Sequence, residues 1–176
     1  PIPRTLSMTL YGDLEVSVID ELPPGRKQVK TLWKSDSNRL KVIGFIKEQI
    51  QAGRQIYIVF PLIKESEKLD YKNLMDGFES IQRDFPLPKY QVSVVHGKMK
   101  PDDKEYEMKR FSEGITDIMI ATTVIEVGVN VPNASVMIIE SAERFGLNQL
   151  HQLRGRVGRS DKQSECIFHV SKKKTL

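Results

Sequence analysis

Residues 90–122 read "YQVSVVHGKMKPDDKEYEMKRFSEGITDIMIAT" and decide the fold. The opening run "YQVSVVHG" (90–97) is apolar and β-branched and stops at a glycine, which is the pattern of a buried strand. "PDDKEYEMKRFSEG" follows as a helix. Pro101 sits in its first turn, where a missing N–H costs nothing, and Gly114 lies just past its end. "TDIMIAT" (116–122) is again an apolar run too short for a helix and too apolar for a wet face. Strand, helix and strand in immediate succession form the unit that joins parallel neighbours.

The pattern continues on both sides. "QIYIVFPLI" (55–63) is a nearly continuous apolar run. Before it, "SDSNRLKVIGFIKEQIQAG" reads as a helix, with Asp36 or Ser37 to cap it. Its Val42, Ile43, Ile46 and Ile50 share one face, and Gly53 stops it. The polar stretch 64–90 is helical around "NLMDGFESIQRDF", where Leu74, Phe78, Ile81 and Phe85 recur at three and four. "SVMIIES" (135–141) and "SECIFHV" (164–170) read as strands, with "LNQLHQLR" a short helix between them. At the other end "LEVSVI" (14–19) reads as a strand and "DELPPGRKQV" (20–29) as a loop broken by Pro23, Pro24 and Gly25. Trp33 then falls in a linker-like segment and is expected to be packed. Apolar strands alternating with amphipathic helices specify an α/β domain of three layers, α/β/α, around a mostly parallel sheet. Ligands collect at the carboxyl ends of such strands. "HGKMK", "TTVIEVGVNVPNA" and "SAERFGLNQ" all follow strands, so all three should open on one edge of the sheet.

Composition narrows the field. The 176 residues fit one domain with a sizeable core, 39% hydrophobic and 28% charged. No apolar run reaches the roughly 18 to 20 residues that span a bilayer, and "PIPRTLSMTL" lacks the pattern of a secretory signal. A single cysteine, Cys166, allows no internal disulfide and points weakly to a reducing cytosol. Three scattered histidines give no metal-site spacing. A net charge of +4 tolerates a nucleic-acid partner without requiring one. The chain starts at Pro1 rather than Met, as an excised piece of something longer would. It has no G-x-x-x-x-G-K-[ST] loop, no G-x-G-x-x-G and no nucleophile elbow, so it should not cradle a nucleoside triphosphate unaided.

Against those absences stands "QLHQLRGRVGRS" (149–160), with Arg154, Arg156 and Arg159 set among Gly155, Val157 and Gly158. A guanidinium keeps its proton and offers a rigid planar fork. Arg156 and Arg159, three apart, can converge on one phosphate while the glycines let the backbone approach a neighbour. A domain that brings arginines but no phosphate cradle fits an arginine-finger donor, which stabilises charge on a phosphoryl group held elsewhere. Arginines that satisfy the last carbonyls of a helix would give the same run.

The neighbouring motifs choose between the two. "ATTVIEVGVNVPNA" and "QLRGRVGR", in this order, resemble motifs V and VI of superfamily 2 helicases. "VVHGKMK" resembles motif IVa, and "PIPRTL" resembles the tail of motif III. "LPPGRKQV", "YIVFPLIKESE" and "SAERFGLNQLHQLRGRVGR" narrow the likeness to RecG-type DNA helicases, over essentially the whole chain. The resemblance implies the second RecA-like lobe of an ATP-driven translocase of double-stranded and branched DNA. Residues 1–30 would be an interlobe segment after motif III, and residues 31–176 the helicase C-terminal domain. ATP and Mg2+ would be held mainly by a first lobe, accompanied by a wedge domain, in a cytoplasmic, nucleoid-associated protein with no membrane partner. The family also carries a helical hairpin beyond motif VI, most of which this chain does not reach.

Residue by residue, the resemblance implies Arg156 and Arg159 as the phosphate-facing arginines and Gln152 near the nucleotide or the lobe interface. It places Gly128 and Asn130 in the coupling loop. Relatives often have aspartate where Asn130 stands, and asparagine keeps the acceptor but not the charge. Glu126 fits an interlobe contact and a solvated charge equally. For DNA, the amides at Gly97 and at the start of helix 101–113 can bind phosphate oxygens, Lys98 and Lys100 add charge, and Thr122 and Thr123 offer hydroxyls. A solvated turn is the plainer reading of the two lysines. His96 is expected to pack or hydrogen-bond at the strand end, Arg144 and Phe145 to hold their loop against the sheet, with a DNA contact as the lesser alternative, and Lys172–Lys174 to be a solvated run. Two other readings stay open: the equivalent lobe of a transcription-repair coupling translocase, and a non-catalytic nucleic-acid-binding α/β module.

Overall fold

The computed structural model describes residues 27–61, 67–122, 131–160 and 162–170. The expected strand at 14–19, the "PIPRTL" segment and the lysine run at 172–174 lie outside them. Among the described residues, six strands form one sheet: β1 (Lys30–Ser35), β2 (Gln55–Phe60), β3 (Val92–Val95), β4 (Ile118–Thr122), β5 (Ala134–Ile139) and β6 (Glu165–Val170). Their spatial order is β1-β6-β5-β2-β4-β3, and every pairing is parallel. Among the described residues, four α-helices cover it: α1 (Arg39–Gln51), α2 (Glu67–Asp84), α3 (Pro101–Ser112) and α4 (Leu147–Arg154). The three-layer α/β/α architecture read from the sequence is the one observed.

Strand alternation splits the apolar residues between two layers. On one face Ile56, Ile58, Ile118, Ile120, Val136 and Ile138 meet the apolar sides of α1 and α2, through Val42, Ile43, Ile46, Leu74, Ile81 and Phe85. On the other, Tyr57, Val59, Met119, Met137 and Ile139 meet Phe111 of α3, Val157, and the half-buried Leu150 and Leu153 of α4. Each fully buried isoleucine contributes about 1.5–3 kcal/mol relative to exposure, and isoleucine, valine or methionine fills most inward positions of the central strands. That is why their sequences run nearly continuously apolar, with the buried Ser135 an exception inside β5. The α3 helix ends as its sequence foretold: Gly114 takes φ +75° and the Ile115 amide donates back to the Arg110 carbonyl at 2.9 Å.

Two local expectations need correction. Neither Asp36 nor Ser37 caps α1. They form a 3-10 turn (Asp36–Asn38) ahead of it, and Asn38, the residue before the helix, makes no side-chain cap bond. The segment holding Trp33 is not a linker but the edge strand β1, paired in parallel with β6. Its alternation turns Leu32 inward against the α1–α2 layer and Trp33 outward, so Trp33 is 65% exposed rather than packed. Among the described residues, no helix is long and apolar enough to cross a membrane.

Candidate functional site

Because the sheet is wholly parallel, the carboxyl ends of β2, β3, β4 and β5 share one edge, and the chain segments that follow them open there. From the end of β5 the chain passes through Ser141, in the left-handed region at φ 50°, and a 3-10 turn at Ala142–Arg144. Phe145 then buries itself in the α3–α4 layer, while Arg144 stays exposed. So Phe145 ties the loop to the sheet, as expected, and Arg144 does not. Gly146 precedes α4, and its amide donates to the Gln149 side-chain oxygen at 3.1 Å, which satisfies one free donor of the helix start.

The arginine run lies at the other end of α4. The helix stops at Arg154, and the Arg156 amide turns back to the Leu153 carbonyl at 2.9 Å. Val157 is only 3% exposed and packs into the core. Gly158 takes φ +81°, and a Cβ there would lie 2.6 Å from Val29 Cγ2. A buried valine and a close-packed glycine thus fix the backbone on which Arg156 and Arg159 stand, half-buried, on either side. The close approach foreseen for the glycines is real at Gly158.

Arg156 borders a small cleft over the α3–α4 face of the sheet, walled by Tyr57, Val59, Ala121, Thr122, Met137 and Leu153. Tyr57 is 2% exposed and its ring meets Phe111 at 4.8 Å. Burial pushes its phenol up to about 12, against the opposing positive fields of Arg159 and Arg156. Both guanidinium charges are therefore felt at one hydroxyl over the centre of the sheet. Arg154 faces elsewhere. It contacts the exposed His151 at 3.2 Å and lines a wider groove with Lys27, Gln28 and Val29. Gln152 is exposed on α4.

The expected DNA-facing residues divide. Gly97, Lys98 and Lys100 are exposed in the loop after β3, and β3 neighbours β4, a wall of the arginine cleft. Met99 packs against the core, and His96 Nδ1 accepts from the Lys98 amide at 3.3 Å, as expected of a strand-end histidine. Burial, then the charges of Lys104 and Lys98, lower its pKa. Asp102 and Asp103 occupy the first turn of α3 and weaken that helix start as an anion site. Thr122 is not presented to solvent. It is the last residue of β4, 4% exposed, with a buried hydroxyl that has no partner among the described residues. It shares the parity of Ile118 and Ile120, which face the opposite layer, so in this conformation it does not offer the expected DNA contact. Thr123, Glu126, Gly128 and Asn130 lie outside the described residues. Reading the sequence missed Tyr57, which looked like one apolar strand residue among several. It also missed a buried pair at the end of β5 and β6, where His169 Nδ1 lies 2.6 Å from Glu140 Oε2.

Comparison with known proteins places this geometry. A family model for the helicase conserved C-terminal domain matches residues 38–161. The chain is 48% identical over 173 residues to the ATP-dependent DNA helicase RecG of Bacillus subtilis (strain 168), covering 98% of this chain and 25% of that protein. It is 54% identical over 168 residues to the RecG of Acidithiobacillus ferridurans, covering 96% of this chain and 24% of that one. The chain thus spans about a quarter of the length of these curated relatives. Among solved structures, that of RecG bound to a three-way DNA junction superimposes with a TM-score of 0.76 at 42% identity, over 97% of this chain and 22% of that one. Domain 2 of the DEAD-box helicase Mss116p bound to an RNA duplex shares the fold, with a TM-score of 0.60 at 18% identity, over 82% of this chain and 55% of that one.

Proposed function

Because the chain belongs to the helicase conserved C-terminal domain family, we propose that it is the second motor lobe of a RecG-type ATP-dependent DNA helicase. In this reading the full protein remodels branched and double-stranded DNA, such as stalled forks and junctions, in the cytoplasm at the nucleoid. This lobe brings Arg156 and Arg159 to an ATP whose triphosphate and Mg2+ are held mainly by the first RecA-like lobe, which a wedge domain accompanies. Water bonds to the γ-phosphorus as the bond to the bridging oxygen breaks, the electron pair leaves with ADP, and the water's proton passes to an oxygen of the released phosphate or to solvent. The two guanidinium groups offset the charge that grows on the transferring oxygens. Gln152, Gly128 and Asn130 serve nucleotide binding and the coupling between lobes. Gly97, Lys98, Lys100 and Thr123 meet phosphates of the DNA backbone, which positions the duplex without reading its sequence. The isolated chain, lacking a phosphate cradle, should not hydrolyse ATP.

The observation that carries this reading is the setting of the arginines. A mobile surface cation would suffice for solubility, whereas these two flank a buried valine and a glycine closed against Val29. Backbone so fixed is what aiming a charge requires. In the full-length protein, Arg159→Ala should lower DNA-stimulated ATP hydrolysis by about 10³- to 10⁵-fold, with DNA binding in a gel shift nearly unchanged. Normal hydrolysis by that variant would remove Arg159 from the role.

A further inference from the structure

We propose that His169 is a proton-operated pin at the carboxyl edge of the sheet. With its second ring proton it ties the exit of edge strand β1, through Asp36, to the exit of β5, through Glu140; without that proton it keeps β5 and loosens its hold on β1. The inference stands apart from the arginine reading and does not use it.

Three neighbouring strands, β1, β6 and β5, bring three residues into a row. Their ladders close by pairing Ser35 with Val170 and Ile139 with Phe168, and Asp36 and Glu140 are the first residues past β1 and β5. His169 of β6 lies between them, only 4% exposed. Its Nδ1 is 2.6 Å from Glu140 Oε2, and its Nε2 is 3.6 Å from Asp36 Oδ1. The two contacts differ in kind. A carboxylate oxygen accepts, so Nδ1 keeps its hydrogen in both ring states and that bond survives deprotonation. The proton that comes and goes is therefore the one on Nε2. That atom is buried with no hydrogen-bond partner among the described residues, and 3.6 Å is too long for such a bond to Asp36. Charge alone draws Asp36 to it. Whatever else Asp36 touches, this attraction vanishes with the proton.

The other charges near the ring come from the elements packed around it. α1 brings Arg39, which donates to Ser80 and Asp84 of α2 at 2.8 and 3.2 Å, and β1 brings Lys34, the register partner of His169. The bond to Glu140 above all, then the charges of Glu140 and Asp36, outweigh burial and Arg39 and raise the ring's pKa. The tie to Asp36 is thus fully present at low pH and is lost as pH climbs through the raised value. β1 is the strand able to answer. Among the described residues it pairs only with β6, and only its Leu32 packs on the core, whereas β5 is held between β6 and β2. A segment with so few buried contacts opens locally at low cost.

Hydrogen exchange of the full-length protein, read by mass spectrometry at about pH 6 and about pH 8.5 with intrinsic rates divided out, tests the pin. At the higher pH, protection of residues 30–38 should fall about 2- to 5-fold more than that of residues 134–139, the equilibrium equivalent of one half-exposed ion pair. Asp36→Asn should abolish that difference. Exchange at the imidazole C2 carbon, which reports the ring's titration, should show a lower His169 pKa in the same variant. An equal change in the two segments would overturn the proposal, as would an undiminished difference or an unchanged His169 pKa in Asp36→Asn. The wild-type comparison needs no substitution, so it decides the matter even if the variant does not fold. Because neither readout is ATP hydrolysis, failure of the arginine reading would leave this one standing, and the reverse holds equally.

Discussion

Gly158 offers the sharpest test of how the arginine loop is held, because two costs of replacing it can be separated. At φ +81° any L side chain is in the left-handed region, which costs about 1–2 kcal/mol. A Cβ would also lie 2.6 Å from Val29 Cγ2, where ordinary contact begins near 3.4 Å. Closing that gap requires a shift of about 0.8 Å in a partly buried, β-branched side chain just before β1, and overpacking of this kind costs about 1–3 kcal/mol. Gly158→Ala should therefore destabilise by about 2–5 kcal/mol in all.

Gly114 is the internal control. Its φ is +75° but nothing lies within 4 Å of a Cβ there, so Gly114→Ala should show the backbone cost alone, about 1–2 kcal/mol. Urea denaturation of both variants measures the difference. Adding Val29→Ala to Gly158→Ala should recover part of the loss, and adding it to Gly114→Ala should recover none. Equal costs for the two glycines, or no recovery on trimming Val29, would refute the packing of residues 155–159 against the entry to β1. The placement of both arginines would fall with it.

Two further outcomes are expected. The hydrogen bond that His169 Nδ1–H donates to Glu140 chiefly, with the charges of Glu140 and Asp36, raises the His169 pKa against burial and the opposing charge of Arg39, itself paired to Asp84 at 3.2 Å. A raised pKa adds stability that is full below the unfolded value of about 6.5 and is lost as pH climbs through the folded value, so the stability gap between wild type and His169→Gln should narrow from pH 6 to pH 9 in urea titrations; a gap that widens would reverse the assignment. Ser141, at φ 50° and ψ 49°, sits where only Gly, Asn and Asp rest easily, so Ser141→Gly should raise stability by about 1 kcal/mol, and a thermal melt showing a loss would mean that the serine side chain holds the turn.

What the sequence reveals here depends on how local each signal is. β2, β4 and β5 were legible because both faces are covered, so nearly every residue must be apolar. Edge strand β1 was not. Only Leu32 of "KTLWKS" packs on the core, and lysines flanking an exposed tryptophan look like a linker until β6 is seen beside them. The arginine run stands out in the sequence because Arg156, Val157, Gly158 and Arg159 are consecutive, but its spacing left two readings open and only the neighbouring motifs chose between them. Tyr57 was not, because only the register of β2 with β5 and the return of α4 bring it beneath a residue 99 positions later. The burial of the Thr122 hydroxyl was hidden for a related reason: where β4 ends decides which way it faces. Glu140 and His169 meet only through the pairing of β5 with β6.

The short length of α4 bears on how such a lobe aims charge. Eight residues make about two turns, below the length at which a helix holds itself in water, and the helix has no fully buried residue of its own. Propensity cannot therefore set the position of Arg156 and Arg159. Tertiary anchors do: Phe145 ahead of the helix, Leu150 and Leu153 along it, and Val157 with Gly158 behind it. Since the Val157 anchor belongs to the same apolar layer as Tyr57 and Met137, a shift in that layer moves the arginines with it. Core packing on this face is then also the adjustment of the site. On the proposed reading, conservative substitutions at Leu153 or Met137 in the full-length protein should alter ATP hydrolysis before they unfold it, whereas equal changes at Ile43 or Leu74, in the opposite layer, should do the reverse.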